Sequence, residues 1–149
     1  MSNQSSNLGP GQPRAPRPWL RTVGAIFAGF VVVVILSIGT DAILHALKIY
    51  PTLGQGMSDQ LFLLATAYRT LYAVIGSYIT ARLAPDRPMW HAMVGGVIGL
   101  ILSIVGAAAT WKHTEMGPHW YPLALVVTAL PTAWLGGKIR EMQISKKSV

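Results

Sequence analysis

Four apolar blocks separated by short polar links limit how this sequence can fold. The hydrocarbon core of a bilayer is ~30 Å thick and takes about 20 helical residues to cross. The chain is 52% hydrophobic and 11% charged, which is more apolar than an ordinary soluble domain. The sequence therefore predicts an all-α integral membrane protein, a bundle of four transmembrane helices. The predicted spans lie near Thr22–Leu47, Leu61–Leu83, Met89–Thr110 and Tyr121–Lys138.

The segments outside these spans are polar. Residues 1–18 are rich in Ser, Asn, Gly and Pro, and we expect a disordered cytoplasmic tail because they cannot bury enough apolar surface to order themselves. Residues 19–140 form the predicted transmembrane domain, and 141–149 form a basic cytoplasmic tail. Gly136 and Gly137 favour a helix end near the last predicted span. The chain has no cysteine, which excludes disulfides and thiol chemistry.

The Lys and Arg residues predict the orientation. Of the 12, nine lie in the N-terminal tail, the link between spans two and three, and the C-terminal segment, whereas only Lys48 and Lys112 lie on the other side. The positive-inside rule then places both termini in the cytoplasm. The same rule accounts for the net charge of +7. Since no basic face is interleaved with aromatic residues, a nucleic-acid partner is not expected.

Aromatic and small residues suggest how the spans sit and pack. Two aromatic belts are expected, formed by Trp19, Trp90 and Trp134 at the cytoplasmic ends and by Tyr50, Trp111, Trp120 and Tyr121 at the outer ends. Small residues recur every four positions in span three (Gly95, Gly99, Ser103, Ala107) and in span four (Ala129, Ala133, Gly137). Such ridges let helices approach closely, either within one bundle or across a homodimer.

One arginine lies inside a predicted span, in the stretch "LLATAYRTLYAV". Arg69 there needs a partner, because an isolated charge at the bilayer centre costs at least ~3 kcal/mol on insertion scales. Span one offers Asp41 on a stripe with Ser37 and His45. We therefore predict an intramembrane Asp41–Arg69 ion pair. Its expected neighbours are His45, Tyr68 and Tyr72.

A second polar group lies in the link "WKHTEMGPHWYP". His113, Glu115 and His119 are suitable ligand types for a divalent metal, but the link matches no recognised spacing, and ordinary interface polarity is the alternative. His91, at the cytoplasmic end, is expected to be a solvated interface residue. No catalytic or phosphate-binding motif is present, and no mid-span histidine pair suggests haem, so no cofactor is expected.

Three stretches of the sequence resemble a group of small, uncharacterised bacterial four-span inner-membrane proteins. They are "TDAILHALKIYP", "LFLLATAYRTLYAVIGSYITARLAPDRPMWHA" and "GPHWYPLALVVTALPTAWLGG". The resemblance covers roughly residues 22–137 and implies a multi-pass protein of the bacterial cytoplasmic membrane. It implies no activity and no catalytic residues.

These features leave three functional hypotheses. The first is a non-catalytic membrane protein, either an accessory or assembly subunit of a larger complex or a binder of a small ligand at its outer face. The second is a small proton-coupled transporter that uses Asp41 and Arg69 and works as a homo-oligomer. The third is a metal-dependent membrane enzyme acting at the outer face through the histidine and glutamate residues.

The cation asymmetry generates a topology prediction. A reporter that is active only outside the cytoplasm should be silent when fused after Val149 and active when inserted near Gln55, because positively charged links stay in the cytoplasm. Activity assays of the two fusions in intact cells measure this. Activity from the C-terminal fusion would overturn the orientation.

Overall fold

A computed structural model of the chain contains four long α-helices. It describes residues 18–52, 55–113 and 117–147, and within these ranges it has no β-strand. The helices are α1 (Pro18–Ala46), α2 (Asp59–Leu83), α3 (Pro88–Thr110) and α4 (Trp120–Ser145). All four are long and apolar enough to cross a membrane. The prediction of an all-α chain with four helices of membrane-spanning length and apolarity is confirmed.

The helix bounds differ from the predicted spans mainly in α1 and α4. α1 begins at Pro18, earlier than the predicted Thr22, and the rest of the predicted N-terminal tail lies outside the described residues. α4 continues through Gly136 and Gly137 to Ser145, so the prediction of a helix end at these glycines is wrong. The first residues of the predicted C-terminal tail are therefore helical.

The two glycines are explained by helix packing. A Cβ atom on Gly136 would lie 2.6 Å from the backbone nitrogen of Tyr78 in α2, and one on Gly137 would lie 2.8 Å from the sulfur of Met89 in α3. α4 therefore meets its two neighbours where it has no side chain. Small residues at such crossings let backbones approach closely in membrane bundles.

Small residues lie inside the bundle and large apolar residues lie outside it, which is the reverse of a soluble domain. Among the described residues, the buried apolar side chains are mostly alanines, and no large side chain is fully buried. Large aliphatic and aromatic side chains point outward, with Val127 72% and Phe27 66% exposed. An apolar exterior of this extent suits lipid rather than water. Helix association then depends on close packing of small residues, since lipid is as apolar as the helix surface.

Three of the helix–helix contacts are tight. Where α1 meets α2, a Cβ on Gly29 would lie 2.6 Å from the carbonyl oxygen of Gly76. Where α3 meets α4, a Cβ on Gly96 would lie 2.4 Å from the Cβ of Ala133. The third is the contact of α4 with α2 at Gly136. The chain thus runs around the bundle in the spatial order α1, α2, α4, α3.

The fourth contact, between α1 and α3, is loose. A Cβ on Gly95 or Gly99 would meet no α1 atom closer than the tips of the Ile26 and Phe30 side chains, at 4.0 and 3.9 Å. The predicted ridge on α3 is therefore misplaced, because Gly96 rather than Gly95 or Gly99 makes the close approach. The α3 glycines leave space along α1 instead of filling it.

One end of the α1–α3 contact is fastened by His91. Its Nε2 lies 3.0 Å from the Thr22 hydroxyl, and its Nδ1 lies 3.1 Å from the carbonyl oxygen of Arg87. His91 is 3% exposed, so the prediction of a solvated interface residue is wrong. A carbonyl only accepts, which means that Nδ1 carries the proton and donates it to Arg87. The histidine replaces close backbone packing at this end of the two helices.

Packing at Gly136 generates a stability prediction. Gly136→Ala should lower the free energy of unfolding by about 1–3 kcal/mol, because the added methyl meets α2 backbone that cannot move aside cheaply. Gly24→Ala is the matched control, since a Cβ there meets nothing within 4 Å. Unfolding in mixed micelles measures both. Equal effects of the two substitutions would mean that α4 does not approach α2 at Gly136.

Candidate functional site

An ion pair joins α1 to α2 inside the bundle. The Nη2 of Arg69 donates a hydrogen bond to Oδ2 of Asp41 at 2.7 Å. Asp41 lies in the last two turns of α1, and Arg69 lies ten residues from the start of α2. The antiparallel hairpin of these helices brings the two residues to the same level. Such charge-assisted hydrogen bonds are among the stronger polar contacts of proteins.

Two tyrosines extend the hydrogen bonding of Asp41. The Tyr68 hydroxyl donates to Oδ1 of Asp41, and the hydroxyls of Tyr50 and Tyr68 lie 3.2 Å apart. Since the Tyr68 proton goes to Asp41, the Tyr68 oxygen accepts from Tyr50. Both carboxylate oxygens of Asp41 are therefore occupied, one by Tyr68 and the other by Arg69. Asp41 is thereby held from two sides as an acceptor.

The turn after α1 places Tyr50 at the site. The backbone N–H of Lys48 donates to His45 and that of Ile49 to Leu44, and Lys48 has a φ of 58°. This is a Schellman motif with lysine in the left-handed position that glycine usually takes. It turns the chain back over the helix end, and Tyr50 becomes 5% exposed with its ring against that of His45 at 5.4 Å.

The other predicted neighbours contact α1 backbone or a second hydroxyl instead of the carboxylate. His45 Nδ1 lies 2.8 Å from the carbonyl oxygen of Asp41, so Nδ1 carries the proton and Nε2 is directed away from that bond. The Tyr72 hydroxyl bonds the Thr40 hydroxyl at 2.8 Å. Both residues thus lie beside the pair without touching its charges. Tyr72 and Thr40 form a second polar link between α1 and α2.

Arg69 retains unused donors. A guanidinium carries five N–H groups, and the hydrogen bond to Asp41 uses one of them. The buried Nε has no acceptor anywhere in residues 18–52, 55–113 and 117–147. On another side, the guanidinium carbon lies 5.9 Å from the ring centroid of Tyr121, within cation–π range. Asp41 already accepts a bond at each oxygen, and Arg69 keeps donors that can bind a further acceptor.

The ion pair faces a cavity of about 430 Å³ at the end of the bundle where α1 and α3 finish and α2 and α4 begin. We call it the end cavity. The Arg69 and Asp41 side chains are 34% and 29% exposed, so the pair is open to this space rather than sealed between helices. Its polar lining includes Asp41, His45, Tyr50, Tyr68, Arg69 and Tyr121.

A second cavity of about 370 Å³ lies between the four helices. We call it the central cavity. Its walls are rich in small residues, including Gly29, Gly76, Gly95 and Gly99. Arg69, Ser103 and Leu125 line both cavities. The arginine therefore stands where the end cavity, which holds the ion pair, meets a central cavity whose other lining residues are uncharged.

The predicted metal-ligand group is only partly described. Glu115 lies outside the described residues, whereas His113 and His119 line the end cavity. The His119 ring stacks on Trp111 at 4.5 Å, and its Nε2 lies 3.0 Å from the Trp111 carbonyl oxygen. Along the described ranges, no three His, Asp or Glu side chains are close enough to hold a metal ion.

Sequence reasoning assigned two residues of the site to another role. Tyr50 and Tyr121 were expected in the outer aromatic belt with Trp111 and Trp120. The two tryptophans are 45% and 37% exposed, as a belt requires, whereas Tyr50 is buried and Tyr121 is directed to Arg69. The choice of tyrosine was an available signal, because a buried phenol needs a polar partner. Thr40 carried no comparable signal.

No family model, curated protein or solved structure matches this chain.

The ion pair generates a coupling prediction. Asp41→Asn should destabilise more than Arg69→Leu, because a stranded arginine cannot deprotonate, and the double variant should lose less than the sum of the two by about 1 kcal/mol. Unfolding free energies in mixed micelles give the cycle.

The control cycle uses Lys138→Gln and Glu141→Gln. This pair is more exposed and its charged atoms lie 3.6 Å apart, so its coupling should stay below about 0.5 kcal/mol. If the coupling free energy of Asp41 and Arg69 is as small as that of the control pair, the buried contact contributes nothing to folding.

Proposed function

We propose that this protein is a small, non-catalytic integral protein of the bacterial cytoplasmic membrane that binds a small ligand in the end cavity. With both termini in the cytoplasm, as the positive-inside rule predicts, the end cavity opens toward the outer face. Arg69 is the binding group in this proposal. Asp41 and Tyr68 are positioning residues that hold its guanidinium in place.

The observation that carries the proposal is the unequal use of the two charges. Asp41 has both oxygens occupied, while Arg69 keeps free donors and faces a cavity of about 430 Å³. Ligand sites are typically concave, of about 300–1,000 Å³, mostly apolar, and carry a few fixed polar groups. A pair that served only to join α1 and α2 would need no adjoining space. Intramembrane charges are functional candidates by default.

A carrier is the second candidate, and one observation favours it. Arg69 lines the central cavity as well as the end cavity, so a ligand bound at the arginine could be passed from one space to the other. In that case movement of α1 relative to α3 would open the interior, since the α3 glycines Gly95 and Gly99 meet α1 only at side-chain tips, at 4.0 and 3.9 Å. A subunit of a larger complex remains the alternative to both.

The end cavity offers a direct test of the binding function. A Cβ on Gly106 would meet nothing within 4 Å, and Gly106 lines this cavity, so Gly106→Leu adds a side chain there whose first atom has open space. We expect wild-type protein purified from native membranes in mild detergent to retain a small molecule that Gly106→Leu loses. Mass spectrometry of the extracted preparations measures this.

The matched control is Gly39→Leu, which is also a helical glycine with open space around it but lines neither cavity. It should retain the molecule, whereas the double variant Asp41→Asn/Arg69→Gln should lose it. Identical small-molecule content in all four preparations would rule out binding in the end cavity. Recovery of a stoichiometric partner polypeptide in its place would favour the accessory-subunit function.

A further inference from the structure

The central cavity has the length of one acyl chain. It follows α2 from Arg69 to Thr80, which is about 16 Å at 1.5 Å per residue. One leaflet contributes half of the ~30 Å hydrocarbon core, so this length equals the depth that one chain occupies in a leaflet. The volume of about 370 Å³ is enclosed by small side chains that leave a slot rather than a filled core.

Two hydroxyl groups in this slot already have hydrogen-bond acceptors within α4 and need no polar ligand. The Thr128 hydroxyl donates to the carbonyl oxygen of Ala124, and that of Thr132 donates to the carbonyl oxygen of Thr128. Both hydroxyls are thus satisfied within α4. An apolar chain beside these groups would leave their hydrogen bonds intact.

The loose α1–α3 contact gives this slot a side entrance. Gly95 and Gly99 line the slot and approach α1 only at the tips of Ile26 and Phe30, at 4.0 and 3.9 Å. The other contacts of the bundle are closed by approaches of 2.4 to 2.6 Å between a built Cβ and neighbouring backbone or Cβ atoms. An acyl chain can slide between α1 and α3 from the lipid without separating tightly packed helices.

The polar end of the slot selects an acceptor. Arg69 has unused N–H donors and a buried Nε without an acceptor among the described residues, whereas both oxygens of Asp41 are occupied. A cationic headgroup at Asp41 would lie beside the Arg69 guanidinium, whose Nη2 is 2.7 Å from Oδ2, and like charges repel. A carboxylate or phosphate can bind Arg69 while the existing hydrogen bonds persist, and a guanidinium binds these groups in bidentate geometry.

We infer that the ligand is an amphiphile with one acyl chain and an anionic headgroup, and that it lies with its headgroup on Arg69 in the end cavity and its chain in the central cavity. This inference rests on the proposed binding function and specifies its ligand class. A free fatty acid and a lysophospholipid with a phosphate monoester share the required chemistry. The chain enters from the bilayer between α1 and α3.

The test uses the full-length protein in an uncharged detergent and counts bound amphiphile by native mass spectrometry. The probes are palmitate, palmitoyl lysophosphatidate, hexadecanol, which has the chain without the charge, and acetate, which has the charge without the chain. We expect one palmitate or lysophosphatidate per protein. Hexadecanol and acetate should each bind at least about tenfold more weakly. The tighter of the two anionic amphiphiles identifies the headgroup source.

Variants locate the two halves of the site. The double variant Asp41→Asn/Arg69→Gln, which removes both charges together and strands neither, should bind palmitate no better than hexadecanol. Gly99→Leu places its side chain in the central cavity, where a Cβ meets Phe30 only at ordinary contact distance. It should weaken palmitate at least about tenfold and leave acetate binding unchanged. Gly39→Leu should behave as the wild type does.

The outcomes separate this inference from the function on which it rests. If acetate binds as tightly as palmitate and Gly99→Leu has no effect, the chain does not occupy the central cavity, although the end cavity still binds an anion. If hexadecanol binds as tightly as palmitate, the anionic headgroup is wrong. If no probe binds and the Gly106→Leu preparation also matches the wild type, both proposals fail. If Gly99→Leu has a lower melting temperature than Gly39→Leu, Gly95→Leu replaces it in the same test.

Discussion

An arginine placed ten residues inside an apolar helix needs an acceptor, and the bond between Arg69 and Asp41 meets that need at 2.7 Å. Several other features of the structure follow from it. The α1–α2 hairpin has to hold Asp41 at the level of Arg69, which the close crossing of Gly29 and Gly76 permits. Tyr68 then satisfies the second carboxylate oxygen. A charge in an apolar bundle thus fixes the register of two helices that otherwise join through small residues alone.

In this bundle, small residues have two opposite effects. Some of them allow close helix contacts, and others leave empty space. Gly29, Gly96 and Gly136 each face a backbone or Cβ atom closely enough that an added methyl would clash. Gly95 and Gly99 face only side-chain tips, and the space beside them belongs to the central cavity. What differs is the neighbouring helix. α4 is seated against both α2 and α3, whereas α1 rests mainly on α2. The interior can therefore stay open on one side while the bundle remains joined.

The site combines an anion that is bonded at both oxygens with a cation that keeps unused donors. Two donors hold Asp41, and a Schellman turn built on Lys48 brings Tyr50 to support Tyr68. Arg69 is consequently oriented but not fully used, and it stands where the end cavity that holds the ion pair meets a central cavity whose other lining residues are uncharged. This geometry suits the proposed ligand, which has an anionic head and an apolar tail.

The sequence by itself determined the number of helices, the identity of the buried charge and its partner. Hydrophobic length predicts spans without reference to packing, and Asp41 is the only acid within a predicted span. The tertiary structure alone decided which glycines make contacts and which leave space. Gly95 and Gly96 are adjacent identical residues, and they differ only in the helix that each one faces. It also decided that His91 is buried on Thr22, that α4 continues through Gly136 and Gly137, and that Tyr50 and Tyr121 belong to the site. These outcomes depend on how each helix is rotated about its own axis and on the turn at Lys48. Local sequence patterns do not determine either of these features strongly.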